Sequence, residues 1–261
     1  MSKKAILVTS FGTSFNETRE KTIDAIEKQI ADEFPDWEVR RAWTSRMIIR
    51  KVKERDGTCI DYITEAMDKL SAEGFEKVIV QPTHIMNGIE YDDIVNAVVA
   101  HVGRIPYLRM GKPLLTTSED YDNAVEAIRT CLLPLCGDRD LVLMGHGTPH
   151  YANAAYSQLQ MKLFGAGIGN VFVTTVEGYP EFEDTLRMMD HCSSRKAVTI
   201  PFMIVAGDHA VNDMAGDEED SLKSFLSSNG YEVECIVRGL GEFPGFRELF
   251  VQHIRDVMEA Q

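Results

Sequence analysis

The sequence predicts an α/β fold of two similar lobes, each a four-stranded parallel sheet flanked by helices, facing each other across a cleft. Three observations carry that expectation. Short apolar, β-branched runs alternate with helical periods along the whole chain, the pattern of parallel strands covered on both faces. The count is eight of each, two sets of four. Segments of the first half can also be laid on the second. ILVTSFGT at 6–13 matches LVLMGHGT at 141–148 in strand, glycine and threonine, and 81–90 runs beside 200–209 with a shared proline and glycine. A weaker pair, 39–44 on 172–177, sets Thr44 opposite Glu177. In the stronger pairs Phe11 stands in the place of His146, and Glu90 in that of His209.

The first run, AILVTSF, follows a charged start but is short and has no small-residue cleavage site, so it reads as a strand and not as a leader. Strands are expected at 4–10, 37–43, 77–82, 105–110, 140–145, 170–176, 196–203 and 231–237, where β-branched and aromatic residues concentrate. Helical spacing with helix-forming residues fills 16–34, 61–73, 90–102, 119–133, 151–164, 181–191, 215–229 and 244–259. Pro113, Pro134 and Gly137 bracket one helix, which suggests an N-terminal lobe of 1–125 and a C-terminal lobe of 126–261. No Gly/Ser-rich tract tethers them.

At 261 residues and 44% hydrophobic content the chain can bury a sizeable core. Its net charge of -14 disfavours nucleic acid and anionic membrane as partners and favours cations. Residues 40–55 reverse that sign, with Arg40, Arg41, Arg46, Arg50, Lys51, Lys53 and Arg55 against Glu54. A solvated helix face explains the run, and so does a clamp for a polycarboxylate. Cys59, Cys131, Cys136, Cys192 and Cys235 form an odd set without C-x-x-C, so reduced and mostly buried thiols are expected. No apolar run approaches a membrane span. A soluble, cytoplasmic protein follows as the expectation, and a homo-oligomer is compatible with it.

The candidate chemistry gathers at three strand ends of the second half. LVLMGHGTPHY at 141–151 delivers His146 onto a glycine-flanked turn, VEGYP at 176–180 places Glu177 after another run, and AGDHA at 206–210 places His209 after a third. The carboxyl edge of an open parallel sheet is where ligands bind. Two imidazoles and one carboxylate suit a divalent first-row ion and leave coordination positions open, as an exchanging or catalytic site requires. Each residue alone has a plainer explanation: a histidine bonding a buried turn, a solvent-facing glutamate, and, for Asp213 and the acids 217–220, N-terminal helix charges. His84 and His150 are placed in a supporting role around the ion; His191 and His253 read as surface helix residues. Ser10, Phe11, Gly12, Thr13 and Met86 make the corresponding ends of the first half small and partly apolar, which suits a flat, bulky ligand and equally suits packing between lobes.

Several blocks together resemble one family: ILVTSFGTSF at the start, TSRMIIRKVKERDG at 44–57, HIMNGIEYDDI at 84–94, MGHG at 144–147, VEGYPE at 176–181 and MIVAGDHAVNDMAGD at 203–217. The chain is similar over nearly its whole length to the class II tetrapyrrole metal chelatases and, among them, to the anaerobic cobalt chelatases of the CbiK type. The resemblance implies that His146, Glu177 and His209 bind the ion, that His146 also accepts a proton, and that Co(II), as substrate metal, enters sirohydrochlorin on the route to cobalamin. No organic cofactor is expected. Imidazole, titrating near working pH, serves both as a releasable ligand and as a base. Arginine's fork matches the macrocycle's carboxylates, and Arg46 and Arg50 are the preferred pair. Glu90 is assigned with His146 to the reaction, guiding the ion or accepting a proton. The competing readings are a ferro- or nickel-chelatase, a metal-dependent hydrolase, and a metal or tetrapyrrole carrier without turnover.

Overall fold

The eight apolar runs form β1 (Lys4–Ser10), β2 (Glu38–Trp43), β3 (Lys77–Pro82), β4 (Tyr107–Met110), β5 (Asp140–Gly145), β6 (Val171–Thr175), β7 (Lys196–Pro201) and β8 (Glu232–Cys235). They come from a computed structural model that describes residues 2–192 and 194–259. All pairings between strands are parallel, in two four-stranded sheets ordered β2-β1-β3-β4 and β6-β5-β7-β8. Each sheet thus repeats one winding, with its first strand central. Burial follows from that position. Ala5, Ile6, Leu7 and Val8 of β1 and Leu141, Val142, Leu143 and Met144 of β5 are fully enclosed, so both faces of each sheet are covered and neither strand alternates in polarity.

Ten α-helices lie among the described residues: α1 (Asn16–Lys21), α2 (Ile23–Glu33), α3 (Arg46–Asp56), α4 (Ile63–Ala72), α5 (Ile89–Val99), α6 (Ser118–Ala127), α7 (Ala154–Gly165), α8 (Phe182–Met189), α9 (Leu222–Ser228) and α10 (Pro244–Glu259). Where they differ from the expected helices, local chemistry explains it. The buried Thr22 hydroxyl donates to the Thr18 carbonyl at 2.6 Å, where the segment 16–34 breaks into α1 and α2. α3 buries only Val52 fully, with Ile48 and Ile49 half-buried one turn before it on an otherwise charged helix; the Ser45 cap and Gly57, at φ 68°, mark its ends. The expected helix 215–229 starts late, at Leu222, where the Ser221 hydroxyl accepts from the Ser224 amide at 3.1 Å. Ahead of it, 210–214 forms a wider π-helical turn.

The chain divides into two compact units, one of residues up to Thr116 together with those from Arg247 onward, the other Thr117–Phe246. The expected boundary at 125/126 therefore falls inside α6, and most of α10 belongs with the first half. The physical basis is an exchange of helices. α6 follows β4 in sequence but ties itself to α7, with Lys162 Nζ donating to Ser118 Oγ at 2.8 Å and Asp122 at 2.7 Å. α10 follows β8 but joins α2, through Arg247 Nε to Gln29 at 2.9 Å and Gln29 Nε2 to Glu248 at 2.9 Å. In the first unit one sheet face packs Leu7, Val78 and Val80 with Ile63, Met67 and Leu70 of α4 and Ile94 of α5. In the second, Val142, Met144 and Phe172 pack with Met189, Leu222 and Leu226.

Backbone bonds align the two sheets residue by residue. Ser45 N donates to Phe11 O at 3.2 Å and Glu177 N to His146 O at 2.8 Å, so Ser45, and not Thr44, is the counterpart of Glu177. The shift by one leaves the other alignments intact. Leu114 N bonds His84 O and Leu240 N bonds Met203 O; Asp92 N bonds Gly88 O and Val211 N bonds Gly207 O, which keeps Glu90 opposite His209.

Candidate metal centre

β5 carries His146 one residue past its end, β6 carries Glu177 two residues past its end, and His209 stands where the turn after β7 opens the π-helical segment. Because β5 lies between β6 and β7, parallel pairing brings the three ends together. One ligand atom from each of His146, Glu177 and His209 lies within 4.8 Å of the others, the single such group of potential metal donors among the described residues. The two imidazoles meet edge to face, centroids 4.3 Å apart and planes at 88°. His146 and Glu177 are exposed and His209 half-buried, so the donors are open to an incoming ion.

Four features fix the donors. Gly147, at φ 82°, lets its turn lie against the neighbouring one: a Cβ there would sit 2.6 Å from Gly178 N and 2.8 Å from Glu177 C. Asn153 ties the same two turns, its Oδ1 accepting from Thr148 N at 3.1 Å and its Nδ2 donating to Tyr179 O at 2.8 Å. Tyr156 packs beneath β5 so closely that a Cβ on Gly145 would be 2.2 Å from its ring, and burial pushes its phenol up to about 12, so it stays protonated. The Nδ1 atoms are engaged as well, His146 with Gly147 O at 2.8 Å and His209 with Asp213 Oδ2 at 2.7 Å.

Sequence reading missed Asn153 and Tyr156, which carry no pattern of their own. It treated Asp213 as a helix-start charge. Asp213 lies instead in the π-helical turn, bonded to a ring four residues back, and the H-x-x-x-D spacing was the available signal. His84 belongs to the first unit, bonded to Thr44 Oγ1 at 3.3 Å, and burial lowers its pKa to about 4. His150 bonds the Ala152 amide at 3.2 Å and meets Tyr151 ring to ring. His191 is exposed as expected; His253 is buried, its Nδ1 2.9 Å from Lys112 O. The five cysteines are unpaired, but only Cys136 is buried and Cys59 is exposed.

The macrocycle candidates all belong to the first unit. Ser10 and Thr13 are enclosed, Ser10 Oγ sharing a 2.8 Å bond with Thr83 Oγ1 and Thr13 Oγ1 accepting from Phe15 N, so they shape the turn and do not present side chains. Gly12, at φ 99°, leaves room for the Trp43 ring. Phe11 is 46% exposed and Met86 half-buried, bridged to Leu115. Glu90 lies in the first turn of α5. Of the basic segment, Arg40, Arg41 and Arg55 are committed to Glu73, Glu27 and Asp56. Arg46 lies over Tyr62, its Cζ 3.6 Å from the ring centroid, and the Tyr62 hydroxyl donates to Asp93 at 3.1 Å. Arg50 projects into solvent, 3.9 Å from Glu54. No described helix is long and apolar enough to cross a membrane.

With this geometry in view, comparison with known proteins is decisive at the level of family. The cobalt chelatase (CbiK) family model matches residues 4–259. The chain belongs to that family. It is 40% identical over 260 residues to a sirohydrochlorin cobaltochelatase of Salmonella typhimurium, covering 98% of this chain and 97% of that protein. It is 30% identical over 263 aligned positions to the sirohydrochlorin cobaltochelatase CbiKC of Nitratidesulfovibrio vulgaris, covering 100% and 92%. Among solved structures it shares its fold with SirB from Bacillus subtilis with Fe3+, at a TM-score of 0.65 and 12% identity over 98% of this chain and 96% of that one.

Proposed function

We propose that the protein is a sirohydrochlorin cobaltochelatase, inserting Co(II) into sirohydrochlorin with release of two pyrrolic protons, on the route to cobalamin. The observation that carries this reading is the convergence of two imidazoles and a carboxylate, within 4.8 Å and open to solvent, in a member of the cobalt chelatase family. Three protein donors hold an ion without closing its coordination shell, so macrocycle nitrogens can replace them one at a time. An imidazole that gives up the ion becomes free to take a proton, which assigns His146 both roles; Glu90 is assigned the second proton or the guidance of the ion. The donor set accepts Fe(II) and Ni(II) as well, and the choice of cobalt rests on the activity named for the two relatives. The unpaired cysteines support a cytoplasmic location.

For the macrocycle we assign the carboxylates to Arg46 and Arg50 and the apolar ring contacts to Phe11 and Met86. Arg46 is the stronger candidate, because its contact with the Tyr62 ring holds the guanidinium in place, and it has more donors than that contact uses. The test is to mix purified protein, sirohydrochlorin and Co(II) without oxygen and follow the macrocycle's absorption. Catalysed formation of cobalt-sirohydrochlorin above the protein-free rate is expected. Stoichiometric binding without turnover would mean a carrier, and ester or phosphate hydrolysis without insertion would mean a hydrolase. Arg46→Ala is expected to weaken macrocycle binding about tenfold or more, by loss of a charge-assisted bond, and to leave Co(II) binding unchanged; equal loss of both would remove Arg46 from the assignment.

A further inference from the structure

The two imidazoles of the candidate centre lean on different acceptors. His146 Nδ1 is 2.8 Å from a neutral peptide carbonyl, Gly147 O, whereas His209 Nδ1 is 2.7 Å from a carboxylate oxygen, Asp213 Oδ2. Neither acceptor carries a hydrogen to give, so each bond requires Nδ1–H and leaves the lone pair on Nε2. A carboxylate behind the ring does more than a carbonyl: it makes the imidazole a stronger donor and locks its orientation. The π-helical turn 210–214 sets this geometry, and Gly216 closes behind it where a Cβ would lie 2.3 Å from Asn212 O. Asp208, adjacent to His209 in sequence, carries the same charge but is exposed, and the ring's bond is to Asp213.

We infer that Asp213 is a positioning residue for the metal substrate: it fixes the tautomer and plane of His209 and makes that ring the stronger of the two imidazole donors. The inference rests on the assignment of His146, Glu177 and His209 as the ligand set.

The test uses Co(II) alone, titrated anaerobically into the full chain and read from the visible absorption of the bound ion, with folding checked by circular dichroism. Asp213→Ala is expected to lower Co(II) affinity about 10- to 100-fold and to shift the Co(II) band. Asp213→Asn keeps an acceptor of the same shape and is expected to recover part of the loss. Asp208→Ala removes an equal charge without touching the ring and is expected to change affinity by no more than about fivefold. In a His209→Ala background, Asp213→Ala is expected to cost nothing further. Equal losses from Asp208→Ala and Asp213→Ala, or a full Asp213→Ala loss persisting without His209, would overturn the inference. So would unchanged affinity in Asp213→Ala while His209→Ala weakens binding. If His209→Ala itself leaves Co(II) affinity unchanged, the ligand set fails, and the inference with it.

Discussion

At the carboxyl edge of the second sheet the three strand-end positions carry His146, Glu177 and His209; at the matching positions of the first sheet stand Phe11, Ser45 and Glu90. Much of the backbone beneath those side chains is shared, although Glu90 lies in an α-helix and His209 caps a π-helical turn. The strand order is the same, the same peptide bonds join the ends, and a left-handed glycine follows each first position, Gly12 at φ 99° and Gly147 at φ 82°. The strand ends correspond, but donor-type side chains occupy all three positions only in the second sheet, where they converge. Even the glycines diverge in what they accommodate: Gly147 makes room for the backbone of the Glu177 turn, Gly12 for the ring of Trp43.

The largest contrast is expected at the first position. His146→Ala should abolish Co(II) insertion with the fold intact, whereas Phe11→Ala should leave Co(II) binding unchanged and weaken macrocycle binding about tenfold, through lost apolar contact. Insertion kinetics, metal titration and circular dichroism on both variants check this; full activity in His146→Ala would break the contrast. The glycines come next. Alanine in a left-handed conformation costs roughly 1–2 kcal/mol at either site, so Gly12→Ala and Gly147→Ala should both lower the melting temperature. Only Gly147→Ala, whose new methyl meets backbone and must displace Glu177, should also reduce Co(II) affinity, by about tenfold or more.

The smallest effect concerns His84 and its counterpart Met203. Burial depresses the His84 pKa from 6.5 to about 4, so between those values the unfolded chain binds more protons than the folded one. Stability contributed by neutral His84 is complete above pH 6.5 and is lost as pH falls toward 4. His84→Met, copying the second sheet, should flatten the fall in unfolding free energy across that window by about 2 kcal/mol, as read from denaturant titrations at several pH values. An unchanged pH slope would show that the ring is not held neutral by burial.

Much of the fold was legible because its signals are local. The central strands are short apolar runs, and in β1, β3, β5 and β7 glycine or proline stands at or just past the strand end, so the repeat matched β1 to β5 and β3 to β7 without error. The register of β2 against β6 was displaced by one, since no punctuating residue pins that pair and only the bonds from Ser45 and Glu177 reveal it. α3 was read only as a solvated helix face within 40–55, without bounds of its own, because its charged residues outnumber the short stripe of Ile48, Ile49 and Val52 that it turns inward.

The sequence by itself determined the donor types, their position just past apolar runs, and the family. Tertiary structure decided the rest. His146 and Glu177 are 31 positions apart and Glu177 and His209 are 32 apart, and no spacing of that length implies contact. They meet because β5 pairs with β6 on one side and β7 on the other, a choice made by burying whole sheet faces. The exchange of α6 and α10 and the bond from Asp213 to His209 are likewise products of packing. A helix or an acid is assigned its partner only when apolar surfaces have found each other, because the free energy that selects the arrangement is spread over the core and not over the residues that end up touching.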